Sequence, residues 1–83
     1  MLKCWFSHEE ECLDPNMNRL WEEHEVVWAA EAYAMEKYRA GYFPSGHAAI
    51  VLVKNINTEV IRSVVVKVIM EPRIKGQEIP YND

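Results

Sequence analysis

The fold is decided by residues 14–41, the longest periodic stretch of the chain, which is DPNMNRLWEEHEVVWAAEAYAMEKYRAG. Its side chains recur at steps of three, four and one, the spacing of one face of an α-helix. Asp14 is a suitable N-cap, Pro15 suits the first helical position, and Gly41 is typical of a helix end. The predicted stripe consists of Leu20, Trp21, His24, Val27, Trp28, Glu31, Ala34, Met35 and Tyr38.

A continuous helix over this stretch has about 25 residues and a length of about 38 Å. A compact domain of this size has a radius of gyration of only about 12 Å. One small domain therefore cannot bury the whole stripe, and we expect part of it to meet another surface. The alternative is that residues 25–28 form a strand, followed by a shorter helix that begins at Ala29.

Three other segments have the apolar and β-branched composition of strands. They are Leu2–Ser7, Ala48–Lys54 and Glu59–Met70, and Asn55–Thr58 suits a hairpin between the last two. Alternation places Val64 and Val66 on one face of the third strand, and Val65 and Ile69 on the other. Because both faces are apolar, the sequence predicts a helix on one side of the sheet and a partial cover on the other.

These segments predict a single α+β domain over residues 1–72, in the order β-α-β-β, with one long helix packed on a small, mostly antiparallel sheet. Pro72 ends the last strand because proline cannot donate to the ladder. Residues 73–83 are expected to form a polar C-terminal tail. A three-stranded sheet leaves a free edge, which favours pairing with a second copy or with a partner.

Acidic residues are concentrated in the first half of the chain. Residues 1–37 contain nine Asp and Glu and three Lys and Arg, a net charge of −6, whereas residues 38–83 have a net charge of +2. This distribution argues against direct nucleic-acid binding, which needs clustered cations. It fits docking on a basic protein surface, and the alternative is an acidic face that only keeps the protein in solution.

The sequence predicts neither export nor insertion into a membrane. Residues 1–3 are followed by no apolar run of the kind found in signal peptides. The longest uncharged stretch, residues 40–53, is interrupted by Gly41, Pro44 and Gly46, so we expect no membrane span. We therefore expect a cytoplasmic protein whose two cysteines are free thiols.

Four residues have the chemistry of zinc ligands, namely Cys4, His8, Cys12 and His24. Their spacing is unlike that of a zinc motif, since seven residues separate the two cysteines and no C-x-x-C pair is present. The prediction is no metal and no other cofactor, with a small zinc-binding domain as the last alternative. We also expect no enzymatic activity, because the sequence contains no nucleophile elbow, phosphate-binding glycine loop or metalloprotease helix.

Four aromatic or methionine residues repeat every seven positions: Trp21, Trp28, Met35 and Tyr42. This spacing is typical of a helix–helix contact, and such side chains are common at interaction hot spots. They either cover the domain's own sheet or form an exposed anchor. The two polar residues of the stripe, His24 and Glu31, either pair with a partner or reach solvent at its margin.

Two parts of the chain resemble small phage-encoded proteins. Residues 31–38, EAYAMEKY, followed by residues 42–46, YFPSG, and a Val/Ile strand, resemble the small phage inhibitor of bacterial RNA polymerase. Residues 27–29 and 33–34 resemble a phage antitoxin that blocks a host RNase toxin, and the size and acidity are similar to those of anti-CRISPR proteins. The resemblance covers less than half of the chain, and it implies a compact α+β protein that binds and blocks a host macromolecule.

The leading interpretation is a non-enzymatic protein that inhibits or modulates a host polymerase, nuclease or defence complex. Its predicted surface combines an aromatic patch with an acidic rim, formed by Trp21, Glu22, Glu23, Glu25, Trp28 and Tyr33. The acids would speed association, and the aromatic side chains would supply most of the affinity. The alternative is a structural or regulatory homodimer that pairs through the helix stripe or a strand edge.

Overall fold

A computed structural model describes residues 2–9, 26–44, 46–70 and 73–81. Within these ranges the chain forms four strands and one helix. Their bounds are Leu2–Phe6 for β1, Val26–Arg39 for α1, Ala48–Asn55 for β2, Ile61–Met70 for β3 and Arg73–Ile79 for β4. The predicted α+β fold, with one helix packed on a small antiparallel sheet, is confirmed.

The four strands lie in chain order in a single antiparallel sheet. The predicted hairpin connects β2 to β3, and Asn55 holds it closed. The Asn55 side-chain oxygen accepts the backbone N–H groups of Asn57 and Thr58 at 2.9 and 3.2 Å. Its own backbone N–H donates to Val60 at 2.9 Å. This local bonding fixes the register of the two central strands.

One face of the sheet, here called the inner face, packs against α1. Its buried side chains come from three strands and are Leu2, Cys4, Phe6, Val51, Val53, Val64 and Val66. Burying an aliphatic or aromatic side chain of this size stabilises a fold by about 1.5–3 kcal/mol. The predicted division of β3 is therefore confirmed for Val64 and Val66, which lie in the core while Val65 lies on the opposite face.

The helix approaches the sheet closely because small residues lie between them. Ala29, Ala30 and Ala34 are fully buried on the sheet side of α1. On β4, a Cβ atom added to Gly76 would lie 3.0 Å from Glu31 and 3.3 Å from Val27, both of which belong to the helix. The close packing of α1 on β4 therefore depends on the missing side chain at position 76.

The C-terminal end of α1 is a Schellman motif, which satisfies the last carbonyl groups of the helix. Gly41 has a positive φ of 82°. Its N–H donates to Tyr38 at 3.2 Å, and the N–H of Tyr42 donates to Lys37 at 2.8 Å. The predicted helix end at Gly41 is confirmed, and its cause is the left-handed conformation that glycine adopts at little steric cost.

The predicted polar tail is wrong for residues 73–79, which form strand β4. This strand pairs with β3 from Ser63↔Ile79 to Met70↔Arg73, with a register shift between Val68 and Met70. The segment has little apolar character of its own, so its pattern did not predict a strand. Its backbone hydrogen bonds are formed with the edge of β3 that faces away from β2. In the predicted three-stranded sheet this edge was free to pair with a second copy or with a partner.

The choice between helix and strand at residues 25–28 is settled for Val26, Val27 and Trp28, which belong to α1. The alternative of a strand there is wrong. The predicted beginning of the helix at Asp14 and Pro15 lies outside the described residues.

In the part of the chain that the structure describes, no helix has both the length and the apolar character needed to cross a membrane.

Candidate interaction surfaces

The predicted stripe does not form the buried face of α1. The fully buried side chains of α1 are Ala29, Ala30, Tyr33 and Ala34, and of these only Ala34 belongs to the stripe. Val27, another stripe residue, is partly buried against the core. Trp28 is instead 50% exposed. Of the two alternatives left open by the sequence, an exposed position therefore holds for Trp28, and covering of the domain's own sheet does not. Small side chains face the sheet because they let the helix backbone come close to it.

An outward side of α1 is formed by Trp28, Ala32, Met35 and Arg39, at the spacing of one helical face. Trp28 and Arg39 are exposed, and Ala32 and Met35 are half-buried. The heptad pair of Trp28 and Met35 therefore points away from the sheet. Tyr42, the next member of the heptad, follows the helix end and is 72% exposed.

Tyr33 is not available as part of the predicted aromatic patch. It is only 5% exposed, and its ring packs against Phe6 with the two centroids 5.2 Å apart. The ammonium group of Lys37 lies 5.6 Å from the centre of the Tyr33 ring. A partner could reach this ring only by opening the core. The other predicted partner-binding residues, Trp21, Glu22, Glu23 and Glu25, lie outside the described residues.

Glu31, one of the two polar residues of the predicted stripe, forms a specific hydrogen bond within the fold. A side-chain oxygen of Glu31 accepts the backbone N–H of Gly76 at 2.6 Å. The backbone groups of successive β3 residues point alternately to β2 and to β4. The N–H of Val68 donates to the carbonyl oxygen of His47, so the even-numbered residues of β3 form their backbone hydrogen bonds with the β2 side and the odd-numbered residues form theirs with β4. By this alternation, the N–H of Gly76 points to the outer edge of β4. The helix carboxylate therefore covers part of the edge of the sheet. His24, its proposed counterpart, lies outside the described residues.

The second face of the sheet, here called the outer face, is apolar along its centre and carries charges of one sign. Within the described strands its apolar members are Trp5, Ala48, Ile50, Leu52, Ile61, Val65, Ile69 and Ile79. Its charged members in the same strands are Lys3, Lys54, Lys67, Arg73 and Lys75, with no Asp or Glu among them. A protein of net charge −4 thus presents a basic sheet face.

Accessibility differs between the two ends of the outer face. At one end, Trp5 and Ser63 are each only 5% exposed. From the next row of the outer face onward the side chains are more accessible, with Val65 half-buried and Ile50, Lys67, Lys75 and Gln77 exposed. We call this accessible part the outer strip, and it consists of Ile50, Val65, Lys67, Ile69, Lys75 and Gln77. The strip contains a shallow cavity of about 170 Å³, lined by Val65, Lys67, Ile69, Lys75, Gly76 and Gln77.

The sequence analysis missed the outer strip because it requires β4. Lys67 was visible as a single cation in an apolar strand, whereas Lys75 was assigned to a tail. The only signal in the sequence was the alternation of residues 73–79, in which Arg73, Lys75 and Gln77 share one side of an extended segment.

The zinc candidates within the described ranges have separate environments. Cys4 lies in the core, and burial raises the pKa of its thiol from 9.0 to about 12. The thiol is therefore protonated at neutral pH and is a poor metal ligand. His8 is exposed, stacks on Phe6 and lies 3.6 Å from a carboxylate oxygen of Glu9. The described residues include no group of three or more His, Cys, Asp or Glu that could hold a metal ion. Cys12 and His24 lie outside them.

No protein-family model matches the chain, and comparisons with curated proteins and with solved structures gave no match.

Proposed function

We propose that this protein is a non-enzymatic protein-binding module that contacts its partner through the outward side of α1. The observation that carries the proposal is the position of Trp28 and Met35, which lie on the side of the helix facing away from the sheet. The core does not need them there, because alanines and Tyr33 already pack α1 on the sheet.

Physical chemistry supports a binding role for these two residues. An indole ring offers a large contact area with little conformational freedom to lose, and tryptophan is enriched at interaction hot spots. Methionine adapts to irregular partner surfaces. Arg39 follows on the same side and gives the apolar pair a polar boundary. An acidic rim from Glu22, Glu23 and Glu25 remains part of the proposal, as a prediction from the sequence.

The partner class comes from the resemblance of residues 31–46 to phage inhibitors. On that basis we propose a cytoplasmic host macromolecule as the target and inhibition as the outcome of binding. The second candidate function is a homodimer in which the outward sides of two α1 helices pack together. The seven-residue spacing of Trp28 and Met35 favours this alternative, since it is the repeat of a helix–helix seam.

The test compares three versions of the chain: wild type, Trp28→Gln, and the matched control Tyr42→Gln. Tyr42 is the more exposed aromatic residue of the two and lies beyond the helix. Each immobilised version is used to capture proteins from a bacterial lysate, and the affinity for any captured protein is then measured. We expect Trp28→Gln to weaken binding by about 2 kcal/mol or more, roughly thirtyfold, and Tyr42→Gln to leave it nearly unchanged.

Light-scattering mass over a concentration series distinguishes the two candidate functions. A wild-type dimer that becomes monomeric in Trp28→Gln favours the homodimer. A captured partner whose affinity is equal for all three versions contradicts any role of the outward side. Circular dichroism on each version checks that the fold is retained.

A further inference from the structure

The outer strip lies on the opposite side of the sheet from α1, so it is independent of the function proposed above. Its cations have an unusual arrangement. Lys67 on β3 and Lys75 on β4 are directly paired across the two strands. Like charges placed opposite each other in a sheet destabilise it, because their side chains lie on the same face at close range.

No acidic side chain balances this pair within the described part of the chain. Two ion pairs in that part are His8 with Glu9 and Arg62 with Glu78, and neither involves Lys67 or Lys75. The second is a 2.8 Å contact between inner-face positions. The carboxylate of Glu31 accepts a hydrogen bond from the backbone N–H of Gly76. Among the described residues the two lysines therefore form a site of unneutralised positive charge, and an external carboxylate bound there would relieve their repulsion.

The apolar part of the strip lies beside the charges. Ile50, Val65 and Gln77 form one row across three strands, and Lys67 and Lys75 lie in the next row. Ile69 follows on β3 and is 58% exposed. The cavity between these residues is about 170 Å³, which is below the range of about 300–1,000 Å³ that is usual for small-molecule sites. Its size and shallowness suit a side chain from a larger partner.

A nucleic acid fits this surface less well than a peptide. Binding to single strands relies on exposed aromatic rings that stack with bases, and Trp5, the aromatic residue of the described outer face, is 5% exposed. The protein also carries a net charge of −4, which repels a polyanion at long range. An apolar floor beside two lysines is instead complementary to a segment that carries both carboxylates and aliphatic side chains.

We propose that the outer strip binds an acidic amphipathic peptide segment of a partner protein. Carboxylates of the segment contact Lys67 and Lys75, and aliphatic side chains pack on Val65 and Ile69. Electrostatic attraction makes the binding sensitive to ionic strength, so raising the sodium chloride concentration weakens it.

The test is fluorescence anisotropy with a labelled peptide of glutamate, leucine and serine, beside the same peptide with glutamine in place of glutamate. A single-stranded RNA of similar length is the third probe. The variant is Lys75→Glu, and the matched control is Arg39→Glu, which has the same change of charge on the outward side of α1. Lys75→Glu places a carboxylate opposite Lys67, so we expect its melting temperature to equal or exceed that of the wild type.

We expect the glutamate peptide to bind the wild type and to bind Lys75→Glu about fivefold or more weakly, with less than a twofold change in Arg39→Glu. The proposal is overturned if the glutamine peptide binds equally well, if both variants lose the same affinity, or if no binding of the glutamate peptide is detected. Tighter binding of the RNA would assign the strip to nucleic acid. A wild-type dimer that Lys75→Glu converts to monomer would assign it to a second copy of the chain.

Discussion

The two faces of the sheet are formed by the same four strands but meet different surroundings. The inner face is covered by α1, and Val64 and Val66 on it are fully buried. The outer strip has equally apolar residues at Ile50 and Val65, yet it is accessible and is bordered by lysines. The difference shows that apolar composition alone does not make a core in this chain.

The two faces differ in what lies against them within the fold. Burial on the inner face requires close approach of the helix, which the alanines of α1 and Gly76 of β4 allow. On the outer strip, the paired lysines keep the surface charged. Three predictions test this contrast, from the largest expected effect to the smallest.

Adjacent valines on β3 provide the most direct comparison of the faces. Val66→Ala removes two methyl groups from a fully buried site and leaves a cavity, so we expect a loss of about 2–3 kcal/mol in the free energy of unfolding. Val65→Ala makes the same change on the outer strip, and we expect a loss below about 1 kcal/mol. Urea denaturation of both variants measures the difference. Equal losses would mean that the two faces are packed equally well.

The close approach of α1 to β4 is tested at Gly76. In Gly76→Ala, the new Cβ would lie 3.0 Å from both Glu31 and Val64, so the helix must shift or the side chains must move. We expect a destabilisation of about 1–3 kcal/mol, as for other overpacked sites. Gln77→Ala changes the next residue on the outer side and should alter stability by less than about 0.5 kcal/mol. A neutral Gly76→Ala variant would contradict the role given to glycine here.

The pKa of the Cys4 thiol depends on how apolar the inner face is around it. Burial raises the pKa of its thiol from 9.0 to about 12. Between these pH values the unfolded chain loses the thiol proton while the folded chain keeps it. The free energy of unfolding therefore falls as the pH rises, by about 1.4 kcal/mol per pH unit, and below pH 9 this group contributes no pH dependence.

The measurement is urea denaturation from pH 8 to 10.5 for the wild type and for Cys4→Ala. Both proteins contain the same lysines and tyrosines, so subtracting the two profiles isolates the thiol. We expect the steeper alkaline loss in the wild type. Parallel profiles would show that the thiol is not held in an apolar site.

The sequence analysis located the elements better than it located their faces. The hairpin at Asn55 and the helix end at Gly41 depend on local bonding, so their residue types predicted them correctly. The buried side of α1 was located only in part, because Val27 and Ala34 of the predicted stripe pack on the core whereas Trp28 of the same stripe is exposed. The fully buried positions of α1 that face the sheet include Ala29, Ala30 and Ala34. Their small side chains allow the helix to lie close to the sheet, which is a property of the tertiary structure.

The candidate surfaces show the same division. Trp28 was singled out from its type and spacing, and the structure places it on an exposed side of the helix. Tyr33 had the same chemistry but lies beside Phe6 in the core. Exposure distinguishes two aromatic residues five positions apart, and it depends on which side of the helix meets the sheet.

The sequence by itself determined the α+β class, the alternation of β3 and the ends of the local turns. These properties depend on neighbours along the chain, through backbone conformation and the periodicity of side chains. Only the tertiary structure decided that residues 73–79 form a strand, that Gly76 lies beneath Glu31, and that Lys67 faces Lys75. Those contacts join residues distant in sequence, and a polar segment such as β4 takes its structure from the strand edge with which it pairs.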